Sequence, residues 1–161
     1  MRHHHSFGRE AISTGLIGAA AVALWFLVID LLRGRAFMTP SILGQVLLFG
    51  QTTPNQEIIY WPAVAAYTGL HVAMFLLFGA LLTKLVFLAD RHGIFRFAIV
   101  MLLFAFMFFA WGVLGMFFTG TQGLFPFWSV LSANALAVVS MGWYLFRHHP
   151  ALRRGYIREP L

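Results

Sequence analysis

The sequence predicts an all-α integral membrane protein with four transmembrane helices, and three observations lead to this fold class. Of the 161 residues, 60% are hydrophobic and only 10% are charged, whereas soluble domains carry about 25% charged residues. The mean hydropathy is +0.81. Four separate windows each hold about 20 mainly apolar residues, the length of helix that crosses a hydrocarbon core about 30 Å thick. The composition excludes a water-soluble globule and, because it is rich in Phe, Leu and Trp, a disordered chain.

Charged or aromatic residues bound these windows. The first window has an apolar run longer than the roughly 7–15 residues of a signal peptide, and Arg33 and Arg35 follow it where a cleavage site would need small residues, so we expect a retained helix. The second opens with Trp61, an interfacial aromatic, and Pro62, which suits a first helical turn. The predicted transmembrane helices cover residues 11–32, 62–88, 95–118 and 127–146 of a single membrane domain, residues 1–161.

The loop between the first two helices is predicted to contain a short helix. Thr39 and Pro40 have the pattern of an N-cap followed by proline at the first helical position, and residues 40–50 then provide about three turns. A helix of this length cannot span a bilayer. We expect it to lie in the outer membrane interface, and the alternative is a re-entrant segment that lines a cavity.

The positions of the basic residues predict the orientation. Nine of the eleven lysines and arginines fall on the side that holds the N-terminus, the middle loop and the C-terminal tail. Cytoplasmic loops carry an excess of basic residues, so both termini are predicted to be cytoplasmic (N-in/C-in), most simply at a bacterial inner membrane. The basic tail, residues 147–161, is expected to attract anionic lipids and not nucleic acid. The nine residues are Arg2, Arg9, Lys84, Arg91, Arg96, Arg147, Arg153, Arg154 and Arg158.

Small residues are expected to bring the helices together, because the hydrophobic effect does not drive association within lipid. The third helix instead carries eight phenylalanines spread around its axis, which suits either lipid or an interface with another subunit. Two helices carry small residues at intervals of four: Gly15, Ala19 and Ala23 in the first, and Ser129, Ala133 and Ala137 in the fourth.

Few polar residues fall within the predicted helices, and each is a candidate for function because its burial in lipid is costly. Asp30 lies near the outer end of the first helix with Arg33 three residues on, a spacing that predicts an interfacial ion pair. His71 is ten residues into the second helix, about 15 Å below the outer interface. Asn134 lies at about 11 Å from the same side. With Trp25 and Trp111, these two residues form one predicted layer.

His71 and Asn134 are therefore the candidate site residues. In one interpretation they hydrogen-bond to each other, to Thr68 or to a backbone carbonyl, and fix the register of the helices. In another, His71 is the axial ligand of a haem iron or of a (bacterio)chlorophyll magnesium. One intramembrane histidine cannot make a bis-histidine haem within one protomer, so a five-coordinate pigment or a shared haem is implied. A quinone site with His71 as hydrogen-bond donor is a third interpretation.

The remaining histidines cluster on the predicted cytoplasmic side. They lack carboxylate partners in the sequence and are expected to be solvated, not bound to a metal ion. These residues are His3, His4, His5, His92, His148 and His149.

Catalysis is not expected of this chain. It has no cysteine, no phosphate-binding glycine loop, no HExxH or GxSxG motif, and no paired carboxylates within a helix. The favoured hypothesis is a non-catalytic accessory or assembly subunit of a larger membrane complex, respiratory or photosynthetic, held by other membrane-protein subunits. The alternatives are a haem- or chlorophyll-binding protein that uses His71, and a small transporter or channel with the layer of His71 and Asn134 as its filter.

Overall fold

The predicted helical fold is confirmed over the part of the chain that the structure describes. The structure is a computed structural model that describes residues 7–89, 92, 94–117 and 126–149, and these residues form five helices and no strand. The first helix begins at Phe7, earlier than the predicted residue 11, and the short helix begins at Met38 instead of residue 40. The helices are α1 (Phe7–Leu32), α2 (Met38–Leu47), α3 (Trp61–Ala89), α4 (Ile94–Phe117) and α5 (Phe127–His148).

Three of these helices, α1, α3 and α5, are long and apolar enough to cross a membrane. They contain 26, 29 and 22 residues, or about 39, 44 and 33 Å at about 1.5 Å per residue, against a hydrocarbon core of about 30 Å. In α4 the described apolar stretch is Phe95–Phe108. Residues 118–125, which join the last two predicted transmembrane helices, and residues 150–161 of the tail lie outside the described residues.

The four long helices pack in a ring around one apolar core. α1 contacts α3 and α5, and α4 contacts the same two helices. Phe75 and Leu82 of α3 meet Ala137 and Met141 of α5 in this core, and Phe106 of α4 packs against it. α2 lies mainly on α3 and forms a second, smaller cluster through Met38, Ile42 and Leu43.

Glycines allow the helix backbones to touch at two places. A Cβ added to Gly15 of α1 would lie 2.6 Å from the Phe75 carbonyl oxygen, and one added to Gly79 of α3 would lie 2.7 Å from the Gly15 Cα. Gly44 of α2 packs in the same way against the Ala63 carbonyl of α3. Close contact of this kind replaces the hydrophobic effect as the source of helix association in lipid.

The small-residue pattern is confirmed in α5 and only in part in α1. Ser129, Ala133 and Ala137 are all buried, as predicted. In α1, Gly15 and Ala19 are buried, whereas Ala23 is exposed. The prediction was wrong for Ala23, which lines a cleft between α1 and α3 instead of a close contact between helices.

α1 ends in a Schellman motif, which turns the chain towards α2. Gly34 adopts a left-handed conformation with φ +69°; its N–H donates to the Leu31 carbonyl at 2.9 Å, and the Arg35 N–H donates to the Asp30 carbonyl at 2.9 Å. Phe37, with φ 65°, is left-handed as well. Since this conformation costs a residue with a Cβ on the order of 1 kcal/mol, the surrounding contacts must hold Phe37 in place.

We predict that Gly15→Ala destabilises the protein by about 1–3 kcal/mol, because the new methyl group meets the α3 backbone, which cannot move like a side chain. The measurement is thermal unfolding in detergent micelles. Gly69→Ala is the matched control: a Cβ at Gly69 meets nothing within 4 Å, so this change should be neutral or stabilising by up to about 1 kcal/mol through helix propensity. Equal losses in the two variants would contradict the close contact of α1 and α3.

Candidate functional site

The candidate site is a cleft between the C-terminal end of α1 and the N-terminal half of α3, with α2 as its third wall. Its volume is about 210 Å³, below the roughly 300–1,000 Å³ of pockets that enclose drug-sized ligands. The lining is mostly apolar, and its polar members are Asp30, Thr39, Tyr67, Thr68 and His71. The apolar members are Val22, Ala23, Leu24, Phe26, Leu27, Phe37 and Pro40.

Asp30 forms the junction between α1 and α2. Its carboxylate accepts two hydrogen bonds from Thr39, one from the backbone N–H at 2.8 Å and one from the hydroxyl at 2.7 Å. Thr39 stands in the first turn of α2, where N–H groups have no partner within the helix and a negative charge is favoured by the helix dipole. Asp30 therefore caps α2 from the end of a neighbouring helix.

Two sequence predictions about this junction were wrong. Asp30 is not within salt-bridge distance of Arg33, because the Schellman turn carries Arg33 to the exposed surface while the Asp30 side chain is buried. Thr39 is not the N-cap of α2: the N-cap position is Phe37, and it provides no side-chain hydrogen bond. Asp30 supplies the capping oxygen instead.

His71 lies on the wall of the cleft and links α3 to α1. Its Nε2 is 3.2 Å from the carbonyl oxygen of Ala19. Because a carbonyl only accepts, Nε2 carries the proton and Nδ1 holds the lone pair of the neutral ring. The ring lies between Tyr67, with centroids 5.9 Å apart, and Phe75, at 4.8 Å. An axial metal bond through Nε2 would require the bond to Ala19 to be broken.

Asn134 does not bond to His71; each of the two binds a backbone carbonyl, one of the alternatives that the sequence left open. The Asn134 side-chain amide donates to the Met107 carbonyl of α4 at 3.2 Å. Trp25 of the same predicted layer donates from Nε1 to the Ser129 carbonyl of α5 at 3.1 Å. The side chain of Trp111 lies outside the described residues. The layer thus consists of links from α3 to α1, from α1 to α5 and from α5 to α4.

α2 is fixed to the loop that follows it by a second set of polar contacts. The Gln45 side chain accepts the Asn55 N–H at 2.9 Å, and the Ser41 hydroxyl accepts the Tyr60 N–H at 3.0 Å. Both Gln45 and Ser41 are buried. These contacts hold the wall of the cleft that α2 provides.

The opposite end of the bundle contains a buried acid–base pair. Nε2 of His149, the residue after α5, is 2.8 Å from Oε2 of Glu10 in α1, and Phe87 of α3 packs its ring edge-on against His149. The prediction of solvated histidines was wrong for His149, because Glu10 is itself buried and a buried carboxylate requires a partner.

The other histidines of that side differ in environment. His92 is exposed, as predicted, and Nδ1 of the exposed His148 is 2.8 Å from the Tyr144 carbonyl oxygen. His3, His4 and His5 lie outside the described residues. Within the described part of the chain, no three His, Cys, Asp or Glu side chains are grouped so that they could hold a metal ion.

Sequence reasoning missed Phe37 and Tyr67 as residues of the site. Phe37 reaches the cleft from its left-handed position and packs against Trp61, with ring centroids 5.7 Å apart. Tyr67 was detectable in principle, since it precedes His71 by one helical turn and so shares its face.

The fold and the cleft define an all-helical protein with helices of membrane-spanning length and a lateral, mainly apolar site. No protein-family model matches the chain, and neither the curated proteins nor the solved structures contain a significant match to it.

We predict that Asp30→Ala destabilises the protein by about 1.5–3 kcal/mol, because it removes the charged acceptor of two hydrogen bonds and leaves Thr39 without a partner in a buried position. Chemical unfolding in micelles measures the loss. Arg33→Ala, three residues away on the exposed surface, should change the stability by no more than about 0.5 kcal/mol. If the two substitutions cost the same, the ion pair predicted from the sequence would be the better description.

Proposed function

We propose that the chain crosses a bacterial inner membrane four times, with both termini in the cytoplasm. The lengths of α1, α3 and α5 support three of the crossings. The packing of α4 along both α3 and α5 supports the fourth, because a helix beside two membrane-spanning neighbours shares their surroundings. The excess of basic residues at the end of the bundle where Glu10 pairs with His149 supports the orientation.

Single-cysteine variants test this topology, and the chain is suited to them because it has no native cysteine. A membrane-impermeant maleimide applied to spheroplasts should label Thr52→Cys in the exposed loop after α2. It should label His92→Cys and His148→Cys only after permeabilisation. These two positions are as exposed on the protein surface as Thr52, but in the proposed topology they face the cytoplasm. External labelling of His148→Cys as well as Thr52→Cys, with His92→Cys still protected, would indicate three crossings, and labelling of His92→Cys and His148→Cys without Thr52→Cys would indicate the opposite orientation.

As its function, we propose a non-catalytic accessory or assembly subunit of a larger membrane complex, respiratory or photosynthetic. The observation that carries this proposal is the outer face of α4. Ile99, Leu102 and Phe106 pack into the bundle, whereas Phe97 and Phe104 are 66% and 58% exposed. The outward residues follow one another at helical spacing and present a continuous apolar stripe that contains three phenylalanines, called here the α4 stripe: Phe97, Val100, Met101, Phe104 and Phe108.

The interior of the bundle supports a structural role over transport. Leu82 and Met141 are fully buried at its centre, and the side chains of His71 and Asn134 bind separate carbonyls, not a shared lumen. A closely packed interior of this kind suits a scaffold. Anionic lipids are further proposed partners at the cytoplasmic face, where the Arg147 guanidinium lies 4.7 Å from the centre of the Trp143 ring.

Photo-crosslinking tests the proposed partner interface. We predict that a benzophenone amino acid at Phe104 of the α4 stripe forms a discrete protein adduct in native membranes, which mass spectrometry then identifies. The same group at Leu77, a residue of α3 that is 68% exposed, should yield lipid adducts only. The accessory-subunit proposal would be rejected if Phe104 also captured only lipid and the protein purified alone in mild detergent.

Pigment or haem binding is the second candidate, and the position of His71 on the wall of a cleft is what favours it. The absorption spectrum of the purified protein tests it. Because the cleft of about 210 Å³ is smaller than the roughly 300–1,000 Å³ of pockets that enclose drug-sized ligands, it cannot enclose a macrocycle, and we predict a colourless preparation. A Soret or chlorophyll band in the wild type that His71→Ala abolishes would establish the second candidate instead.

A further inference from the structure

The cleft between α1, α2 and α3 adjoins a second, polar pocket. This pocket, of about 100 Å³, is lined by Arg33, Arg35 and Gln56 together with residues of α2. Asp30 and Thr39 line both spaces and so form the partition between them. An apolar space of about 210 Å³ therefore lies directly beside a basic one.

The charges around the polar pocket leave its two guanidinium groups available. Both carboxylate oxygens of Asp30 are bound by Thr39. Arg35 donates one hydrogen bond, at 2.9 Å, to the Gln56 carbonyl, which is neutral. Among the described residues, Arg33 and Arg35 have no carboxylate within salt-bridge distance, including that of the exposed Glu57. Arginine offers several donors in a planar fork that matches phosphate oxygens.

The surroundings of the apolar cleft are suited to a hydrocarbon chain. The side chains at its edge, Leu24 and Phe37, are 60% and 41% exposed on the outer surface of the bundle. In a membrane this surface is in contact with acyl chains. The volume of the cleft fits a segment of a chain and not a complete lipid.

We propose that the cleft and the polar pocket form one two-part site for an anionic phospholipid. A segment of an acyl chain occupies the cleft beside His71 and Tyr67, and the phosphodiester binds to Arg33 and Arg35. Phe37 and Trp61 form an aromatic pair at the junction, the depth at which aromatic rings sit at the headgroup level. This site is separate from the α4 stripe and does not depend on the accessory-subunit proposal.

The first test measures headgroup preference. The delipidated full-length protein in micelles is titrated with phosphatidylglycerol and with phosphatidylcholine of the same chains, and bound lipid is read by native mass spectrometry. The wild type should bind phosphatidylglycerol about tenfold more tightly. Arg33→Gln combined with Arg35→Gln should abolish that preference, and Arg33→Gln alone, which breaks no hydrogen bond of the described residues, should reduce it.

A matched control separates a built site from general attraction by net charge. Lys84→Gln combined with Arg9→Gln removes the same number of positive charges at the other end of the bundle, at two exposed positions. The preference for phosphatidylglycerol should survive in this variant. Equal losses in the two double variants would overturn the proposal, because they would show that only the total charge matters.

The second test addresses the acyl chain. Ala23→Phe places a ring in the cleft, and Ala20→Phe, at an exposed position of α1 outside it, is the control. Ala23→Phe should weaken the binding of both lipids several-fold, and Ala20→Phe should not. If Ala23→Phe had no effect and inorganic phosphate displaced the lipid, the arginines would form a free-phosphate site and the proposal would be wrong.

Discussion

Polar side chains that are shielded from water must find their partners within the protein, and this constraint organises the part of the structure that is described. Water is absent from the hydrocarbon core, so an unpaired donor retains its full cost of desolvation. His71, Trp25 and Asn134 each meet the constraint in the same way, by donating to a backbone carbonyl of a neighbouring helix. Each bond joins a different pair of helices, so that together they connect α3, α1, α5 and α4. Polar side chains that the sequence marks as candidate site residues thus form hydrogen bonds that join the helices.

The same constraint explains the ends of the bundle. Asp30 and Glu10 are the two buried carboxylates of α1, one near each end, and each is bound by a residue that enters from a different segment. Thr39 brings α2 to the C-terminal end of α1, and His149 brings the end of α5 to its N-terminal end. Because an unpaired buried carboxylate is costly, each pair also selects one arrangement of the chain over others that bury the same apolar area. The apolar core supplies most of the contact, and the polar pairs determine which contacts are made.

How far the sequence predicts this structure depends on whether a feature is local. Helix positions follow from continuous apolar runs and from end signals such as Trp61 and Pro62, so all five helices could be anticipated. The partner of Asp30 could not. Spacing along one helix favours Arg33, but the Schellman turn at Gly34 directs Arg33 outward and presents Thr39 to the carboxylate. The acceptors of His71 and Asn134 are main-chain carbonyls, which every residue offers, so no sequence pattern distinguishes Ala19 or Met107. The cleft could not be predicted from the sequence either, because it depends on where α2 packs.

The position of the cleft follows from how α1 and α3 separate along their length. At Gly15 and Gly79 the two backbones touch, since neither residue has a Cβ. One turn further along α1, the two helices are joined by the side chain of His71, which donates a hydrogen bond to the Ala19 carbonyl. Beyond Ala19, Ala23 of α1 lines the cleft. α2 packs from the side, where Gly44 contacts the Ala63 carbonyl. The cleft therefore opens towards the C-terminal end of α1, and His71 both joins the two helices and lines the space between them. A residue in that position holds the bundle together and lines the proposed lipid site by the same geometry, so the structural role and the proposed role are not alternatives.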